Sequence, residues 1–324
     1  MTMLSRVAER LFWMARYLER AEDTARLVHA YTHMVMDIPK GSEPGWDILV
    51  KILNAEPHYQ AHYRVYNEQN VMKFLLADEG NISGILSAIR AARENVRTTR
   101  DVLPGEVWEH VNELYLYAQE YAEKSVGRRN RYHFLETVIA RCQMVNGMVA
   151  STLQRGHAYR FIKLGQLLER ADMTTRVIDV GAAALLGNER LHSTVDPLIW
   201  TSLCNSLSAM GAYRREFGPQ VEASAMVDFV LREGALPRSV KFCLDGIRKE
   251  LTPLKNNRDA LKLVIKARRK LSLFDPQVSS REELHVFIDR FQLILTQLYT
   301  SIDHTWFMTD ERQASGTLKA SATR

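Results

Sequence analysis

Apolar residues along this chain recur at alternating steps of three and four, and no stretch alternates convincingly with period two. From about Leu4 to Met36, Leu11, Met14, Leu18, Ala21, Ala25 and Val28 share one face, which predicts a long helix. Pro39, Gly41, Pro44 and Gly45 end it. Shorter helices are predicted around Trp46–Asn54 and Val71–Ala77, with Glu79-Gly80-Asn81 as a turn. Another runs from about Ser83 to Val102; Pro104-Gly105 breaks it and starts the next, which reaches about Val126. Gly127 to Arg131 reads as a basic turn, Tyr132 to Leu153 as a helix, and Gly156 leads into a second long helix ending near Gly187-Asn188. Four helices follow around Asp196–Phe217, Gln220–Leu231, Ser239–Leu251 and Arg258–Leu273. A last long one begins near Ser280, with Leu284, Ile288, Phe291, Leu295, Leu298 and Ile302 on one side. Periodicity vanishes beyond Met308, which predicts a disordered tail. The fold class expected is all-α.

The pattern is used twice. Leu18-Glu19-Arg20-Ala21-Glu22-Asp23-Thr24-Ala25-Arg26 returns as Leu168-Glu169-Arg170-Ala171-Asp172-Met173-Thr174-Thr175-Arg176. In the same order, Trp46, Leu49, Leu53 and Tyr59 match Trp200, Leu203, Leu207 and Tyr213 at a shift of 154, against 150 for the first motif. Phe74, Leu76, Ile85, Ile89 and Arg93 match Phe229, Leu231, Val240, Leu244 and Arg248 at a shift of 155. A small drift in one direction is what loop insertions produce. Convergent amphipathic patterning is the plain alternative; the aligned tryptophans and the shared Thr24/Thr174 argue against it. The expectation is two homologous helical halves, residues 1–150 and 151–313, packed as one multi-helix bundle, with 314–324 as the tail.

Composition adds boundaries rather than a function. The chain has 324 residues, 46% hydrophobic and 25% charged, with a net charge of +5, milder than dedicated nucleic-acid binders show. Cys142, Cys204 and Cys243 are widely spaced in apolar helical contexts, which suits free thiols in a reducing cytoplasm. Arg6, Glu9 and Arg10 argue against a signal peptide, and no segment approaches the run of about 18 apolar residues that a membrane span needs. A cytoplasmic protein without membrane or nucleic-acid partners is expected.

On a helical wheel, Ala15, Glu19, Glu22 and Arg26 line one flank of the first apolar seam, and Gly165, Glu169, Asp172 and Arg176 the same flank of the second. The small residue one turn before each first acid lets a helix or a ligand come close. Arg20/Arg170 and Thr24/Thr174 lie on the opposite flank, where different neighbours are expected. Three readings of the acid–arginine flank stay open. One is a half-buried ion-pair network, favoured by Glu22 and Arg26 at i, i+4. Another is a polar ligand site in which arginines grip a carboxylate or phosphate and the acids an amine. The third is a carboxylate-bridged metal pair, but that needs Glu-x-x-His on two helices where this chain has Glu19-x-x-Glu22 and Glu169-x-x-Asp172. No metal is expected.

Other candidates carry less. Arg90, Arg93, Arg97 and Arg100 form a stripe able to bind an anion, with Glu94 one turn from Arg90 as an internal partner. Lys266-Ala-Arg268-Arg269-Lys270 reads as a solvated face, since no aromatic interleaving accompanies it. His29 and His33, at i, i+4, lack the intervening glutamate of a zincin helix and read as a surface pair. Walker, dinucleotide-glycine and Gly-x-Ser-x-Gly patterns are missing, so no nucleotide or other cofactor is expected.

Phe12-Trp13-Met14-Ala15-Arg16-Tyr17-Leu18-Glu19-Arg20-Ala21-Glu22 and Phe161-Ile162-Lys163-Leu164-Gly165-Gln166-Leu167-Leu168-Glu169-Arg170-Ala171-Asp172 resemble the alpha-E domain family, an all-helical bacterial family named for its Glu-Arg motif and also known as domain of unknown function 403. Ala91-Ala92-Arg93-Glu94-Asn95-Val96-Arg97 with Glu106-Val107-Trp108, Pro237-Arg238-Ser239-Val240 and the closing Trp306-Phe307 fit the same resemblance, which covers about residues 4–308. Ala15 stands for a glycine, Tyr159 for a tryptophan and Gln166 for a basic residue; the last speaks against two equivalent sites. The resemblance implies no settled activity. It implies company: circularly permuted ATP-grasp proteins, often near transglutaminase-like proteases, and hence peptide or amino-acid amide chemistry. Three functions follow: a helical partner or substrate-holding component of an ATP-grasp ligase system; a stand-alone enzyme using the acid–arginine cluster as base and carboxylate grip; or a purely structural helical adaptor.

Overall fold

The computed structural model describes residues 3–38, 45–184 and 196–308. It is all-α, with no strand among those residues. The predicted tail, the Gly187-Asn188 helix end and Pro39 to Pro44 lie outside them.

Two long helices form the centre, α1 (Ser5–Asp37) and α8 (His157–Ala184), packed along each other. Leu11, Phe12, Met14, Leu18, Ala21, Ala25 and Val28 are all buried on α1, so the periodic seam becomes the core. The closest approach is at Gly165. A Cβ there would sit 2.1 Å from the carbonyl oxygen of Phe12, so only a glycine admits the α1 backbone at this point. Ala15, also small, is buried nearby.

Around this pair the remaining helices take repeated positions. They are α2 (Asp47–Ile52), α3 (Glu56–His62), α4 (Glu68–Leu76), α5 (Ile85–Arg97), α6 (Gly105–Tyr121) and α7 (Arg128–Thr152), then α9 (Asp196–Ser206), α10 (Met210–Phe217), α11 (Ala223–Arg232), α12 (Val240–Leu251), α13 (Arg258–Leu273) and α14 (Arg281–Ile302). Helix α1 packs on α5 and α7 as α8 packs on α12 and α14. The hairpins α5–α6 and α6–α7 recur as α12–α13 and α13–α14. One pair of elements is exchanged: α9 packs on α1, and α2 on α8. A π turn at Asp303–Phe307 brings Phe307 between Phe12 and Phe161, with ring centroids 5.3 and 5.7 Å away.

Several boundaries differ from the periodic reading. α5 stops at Arg97 instead of continuing to Val102: the adjacent β-branched Thr98 and Thr99, weak helix formers, leave the helical backbone, and Arg100–Val102 forms a separate 3-10 turn. The single helix expected over Asp196–Phe217 is two, divided where Ser208 takes a left-handed φ of 53°. α3 forms where the pattern assigns nothing. The basic segment Gly127–Arg131 is no turn: Gly127 precedes the first turn of α7, and Arg128 and Arg131 both donate to Glu68 of α4. That carboxylate offsets the cost of cations at a helix N-terminus.

Candidate functional site

Where α1 crosses α8, each helix gives a glutamate to the other. Glu169 accepts from Nε of Arg16 and Nε of Arg20, both at 2.6 Å. Glu19 accepts from Arg170 at 2.6 and 2.9 Å and from Gln166 Nε2 at 3.2 Å. The motif arginines, which the helical wheel sends to a separate flank with separate neighbours, thus return to the same interface. The other helix presents its glutamate there, a relation no single-helix projection contains.

The two glutamates are not held alike. Glu169 has two arginines from α1, whereas Gln166, 150 positions after Arg16 and likewise three residues before a motif glutamate, brings no charge. Arg238, in the loop before α12, makes up the difference: its Nη1 lies 3.3 Å from Glu19, its Nη2 donates to Glu22 at 2.8 Å, and it makes a short contact with Asp23. Ser239 caps α12 by accepting from Phe242 N, and Thr174 Oγ1 donates to the Arg238 carbonyl at 3.0 Å. Together they fix the loop so that this guanidinium enters the core. Glu22 also accepts from Arg26 at 2.9 Å, and Asp172 from Arg176 at 2.9 Å. Trp13 and Tyr299 cover Arg16 at 4.8 and 5.4 Å, shielding the pair from water.

Glu19, Glu22, Asp23, Glu169 and Arg238 are all buried. Burial pushes Glu169 toward its neutral form, but Arg16 and Arg20 outweigh it and hold the carboxyl at about 2. Burial is likewise overcome at Glu19, by Arg170 and Arg238, and its pKa falls below the ordinary carboxylate range. Asp23 behaves oppositely. Burial, reinforced by the Glu19 and Glu22 charges, prevails over Arg238 and raises it to about 7. Its Oδ2 and the neighbouring Thr24 hydroxyl are buried with no hydrogen-bond partner among the described residues.

A general base needs a carboxylate that is open to substrate and not already consumed by cations. Glu19 and Glu169 meet neither condition. Of the eight motif residues Glu19, Arg20, Glu22, Arg26, Glu169, Arg170, Asp172 and Arg176, Arg26 alone reaches the wall of a cleft of about 570 Å³ between α1, α7 and α9. Its Nη1 donates to Ser208 at 2.6 Å across that wall. His29, Glu136, Gln143, Thr201 and Asn205 continue the lining. His29 is half-buried, with Nε2 unpartnered among the described residues and its pKa lowered by burial and then by His33.

The arginine stripe is engaged internally. Arg90 donates to Glu79, Arg93 to Asn112 and Glu94, and Arg97 to Glu94, while Arg100 lies 3.7 Å over the Trp108 ring. Asp179, His285 and Asp289 form the one group among the described residues with metal-ligand spacing. There Nδ1 of His285 meets Asp179 at 2.6 Å and Nε2 faces Asp289 at 3.7 Å. An imidazole with each nitrogen turned to a different acid is arranged as a cation between two anions, not as a ligand offering one lone pair to a metal.

Gln166, the departure already read from the second motif, completes the cluster with Arg16, Asp23 and Arg238, which the motifs contain but to which motif reading gave no role. Their signal lies where the two similar stretches of sequence differ: at the expected shift of 150, Gln166 falls on Arg16 and leaves one charge missing, and at the shift of 155 Arg238 falls on Ser83 and supplies one.

The three cysteines are free and buried, and no helix among the described residues is long and apolar enough to cross a membrane. The model of the Alpha-E family, described as a predicted alpha-helical domain with a conserved ER motif, matches residues 3–307. No curated protein and no solved structure matches the chain.

Proposed function

The chain belongs to the Alpha-E family, and from that premise we propose that it is a helical, substrate-holding partner of an ATP-grasp-type ligase in peptide or amino-acid amide-bond formation, with no nucleotide site of its own. The observation that carries this reading is how the carboxylates are used. Those at the α1–α8 crossing are spent on the half-buried Arg16, Arg20 and Arg170 and the buried Arg238 and stiffen the body, while the polar cleft beside Arg26 stays open. Arg26 on one wall and Glu136 on another give that cleft a cation and a carboxylate, so a ligand carrying both a carboxylate and an amine, such as an amino acid or a peptide end, fits its chemistry. The ATP-grasp association rests on the family resemblance, and the assignment of nucleotide binding to the partner rests on the lack of a phosphate-binding glycine pattern in this sequence.

Co-purification with the cognate ATP-grasp protein tests it. The complex should form and alter ligase turnover, and Gln143→Trp, which fills the cleft from an exposed position, should abolish the change in turnover while the complex persists. No complex and no effect on turnover would defeat the proposal; a complex indifferent to the cleft variant would favour the purely structural adaptor. Glu19→Gln and Glu169→Gln separate the stand-alone enzyme: folded, stable variants devoid of turnover would favour it, and loss of stability the ion-pair lock. We also read the recurrent helix neighbourhoods as two halves of common origin, with the mismatches at Gln166 and Arg238 as later divergence.

A further inference from the structure

Charge on this molecule is concentrated in one place. Residues 232–273 hold twelve lysines and arginines against four aspartates and glutamates, a net of +8 in a chain whose total is +5. Arg238 is buried in the ion cluster, but Lys241, Arg248, Lys249, Lys255, Arg258, Lys262, Lys266, Arg269 and Lys270 are exposed. Between the end of α11, the start of α12 and α13 the surface folds into a groove of about 460 Å³ rimmed by Arg232, Lys241, Arg268 and Arg269. Two of the four cations have internal counter-ions, Arg232 with Asp228 and Arg268 with Asp245. Lys241 and Arg269 have no carboxylate within ion-pair distance among the described residues.

The groove is not polar throughout. Ile265 lies in it and is 54% exposed, and Leu273, two turns further along α13 past Arg269, is 70% exposed. Neither side chain gains from a phosphate backbone, and no aromatic ring lines the groove to stack on a base. Both gain from an apolar side chain brought out of water. A second copy of the same face is repelled by its own charge. We propose that this α11–α13 groove is a docking site for an acidic, leucine-bearing protein segment, with carboxylates meeting Lys241 and Arg269 and an apolar residue covering Ile265. The inference does not depend on the cleft beside Arg26, which lies between other helices.

The probe is a short labelled peptide of alternating glutamate and leucine, titrated with the full chain by fluorescence anisotropy. A glutamate–serine peptide of the same length and a single-stranded oligonucleotide serve as comparisons. The glutamate–leucine peptide should bind best, and its affinity should fall as salt rises. Lys241→Glu with Arg269→Glu, both at exposed positions, should weaken it on the order of 10²-fold. Ile265→Ser should remove the preference for leucine over serine while leaving the salt dependence. Equal binding of the two peptides, tighter binding of the oligonucleotide, or indifference to the double reversal in a variant with unchanged helical circular dichroism would each overturn the proposal.

Discussion

Arg238 answers to three carboxylates, those of Glu19, Glu22 and Asp23, and lies in a loop rather than on either motif helix. Removing it leaves buried negative charge with one compensating arginine fewer. Arg238→Ala should therefore cost about 3–5 kcal/mol of folding free energy in a urea titration. Arg238→Lys should recover only part of this, since a single ammonium cannot fork between acids as a guanidinium does. Asp23 supplies a test through pH. Its pKa rises from an ordinary 3.8 to about 7 on folding, so the native state binds the extra proton between those values and stability falls as pH rises through that window. Asp23→Asn should flatten that decline, gaining on the order of a few kcal/mol at pH 8 relative to the parent. Glu169 acts in the opposite sense. Held at about 2 against an ordinary 4.5, it contributes stability that is present above 4.5 and lost as pH falls toward 2. A stability profile highest in mildly acid solution, declining on both sides, is the combined expectation; a profile level from pH 4 to 8 would contradict the burial assigned to Asp23.

At the scale of elements, the crossing of α1 and α8 depends on a missing side chain. A methyl at Gly165 would meet backbone at Phe12, which cannot rotate away as a side chain could, so the helices must separate. Gly165→Ala should destabilise by about 1–3 kcal/mol despite the better helix propensity of alanine. Gly147 on α7 is the matched control: a Cβ there meets nothing within 4 Å, and Gly147→Ala should stabilise by up to about 1 kcal/mol in the same thermal melts. The small residues at 15 and 165 were legible in the sequence as permission for close approach, as were the helices whose apolar period is unbroken, α13 above all. Three features were not legible. The division between α9 and α10 turns on one left-handed residue, Ser208; the early stop of α5 falls at two adjacent β-branched threonines that the apolar period passes over; and the crossed glutamates depend on a partner helix some 150 residues away. A helical wheel describes one cylinder, and the chemistry of this site is made between two.

For the molecule as a whole, the exchange of α2 and α9 decides what can fold. Each supports the long helix of the opposite half, α2 resting on α8 and α9 on α1, and the reciprocal glutamates join the same two helices. Neither half can complete its own core, for residues 1–153 leave the α8-facing side of α1 and α2 bare, with Glu19 parted from Arg170. Two chains, residues 1–153 and 154–324, divide the protein at the short connection between α7 and α8. Cutting there removes only the modest entropic advantage of one covalent link, which mass action replaces at sufficient concentration. Co-expressed, the two should elute together in size-exclusion chromatography with the helical circular dichroism of the intact chain and a melting temperature that rises with concentration. Expressed singly, each should aggregate or unfold without cooperativity, exposing the apolar face of its long helix. Glu19→Lys in one fragment should abolish reassembly, and Arg170→Glu in the other should restore it in part, because Gln166 is neutral and leaves room for the reversed pair while Arg238 still repels it. Fragments that fold alone as stable monomers would show that the crossing at Gly165 joins two finished domains, and would remove the reason for reading the ion cluster as the lock of a single body.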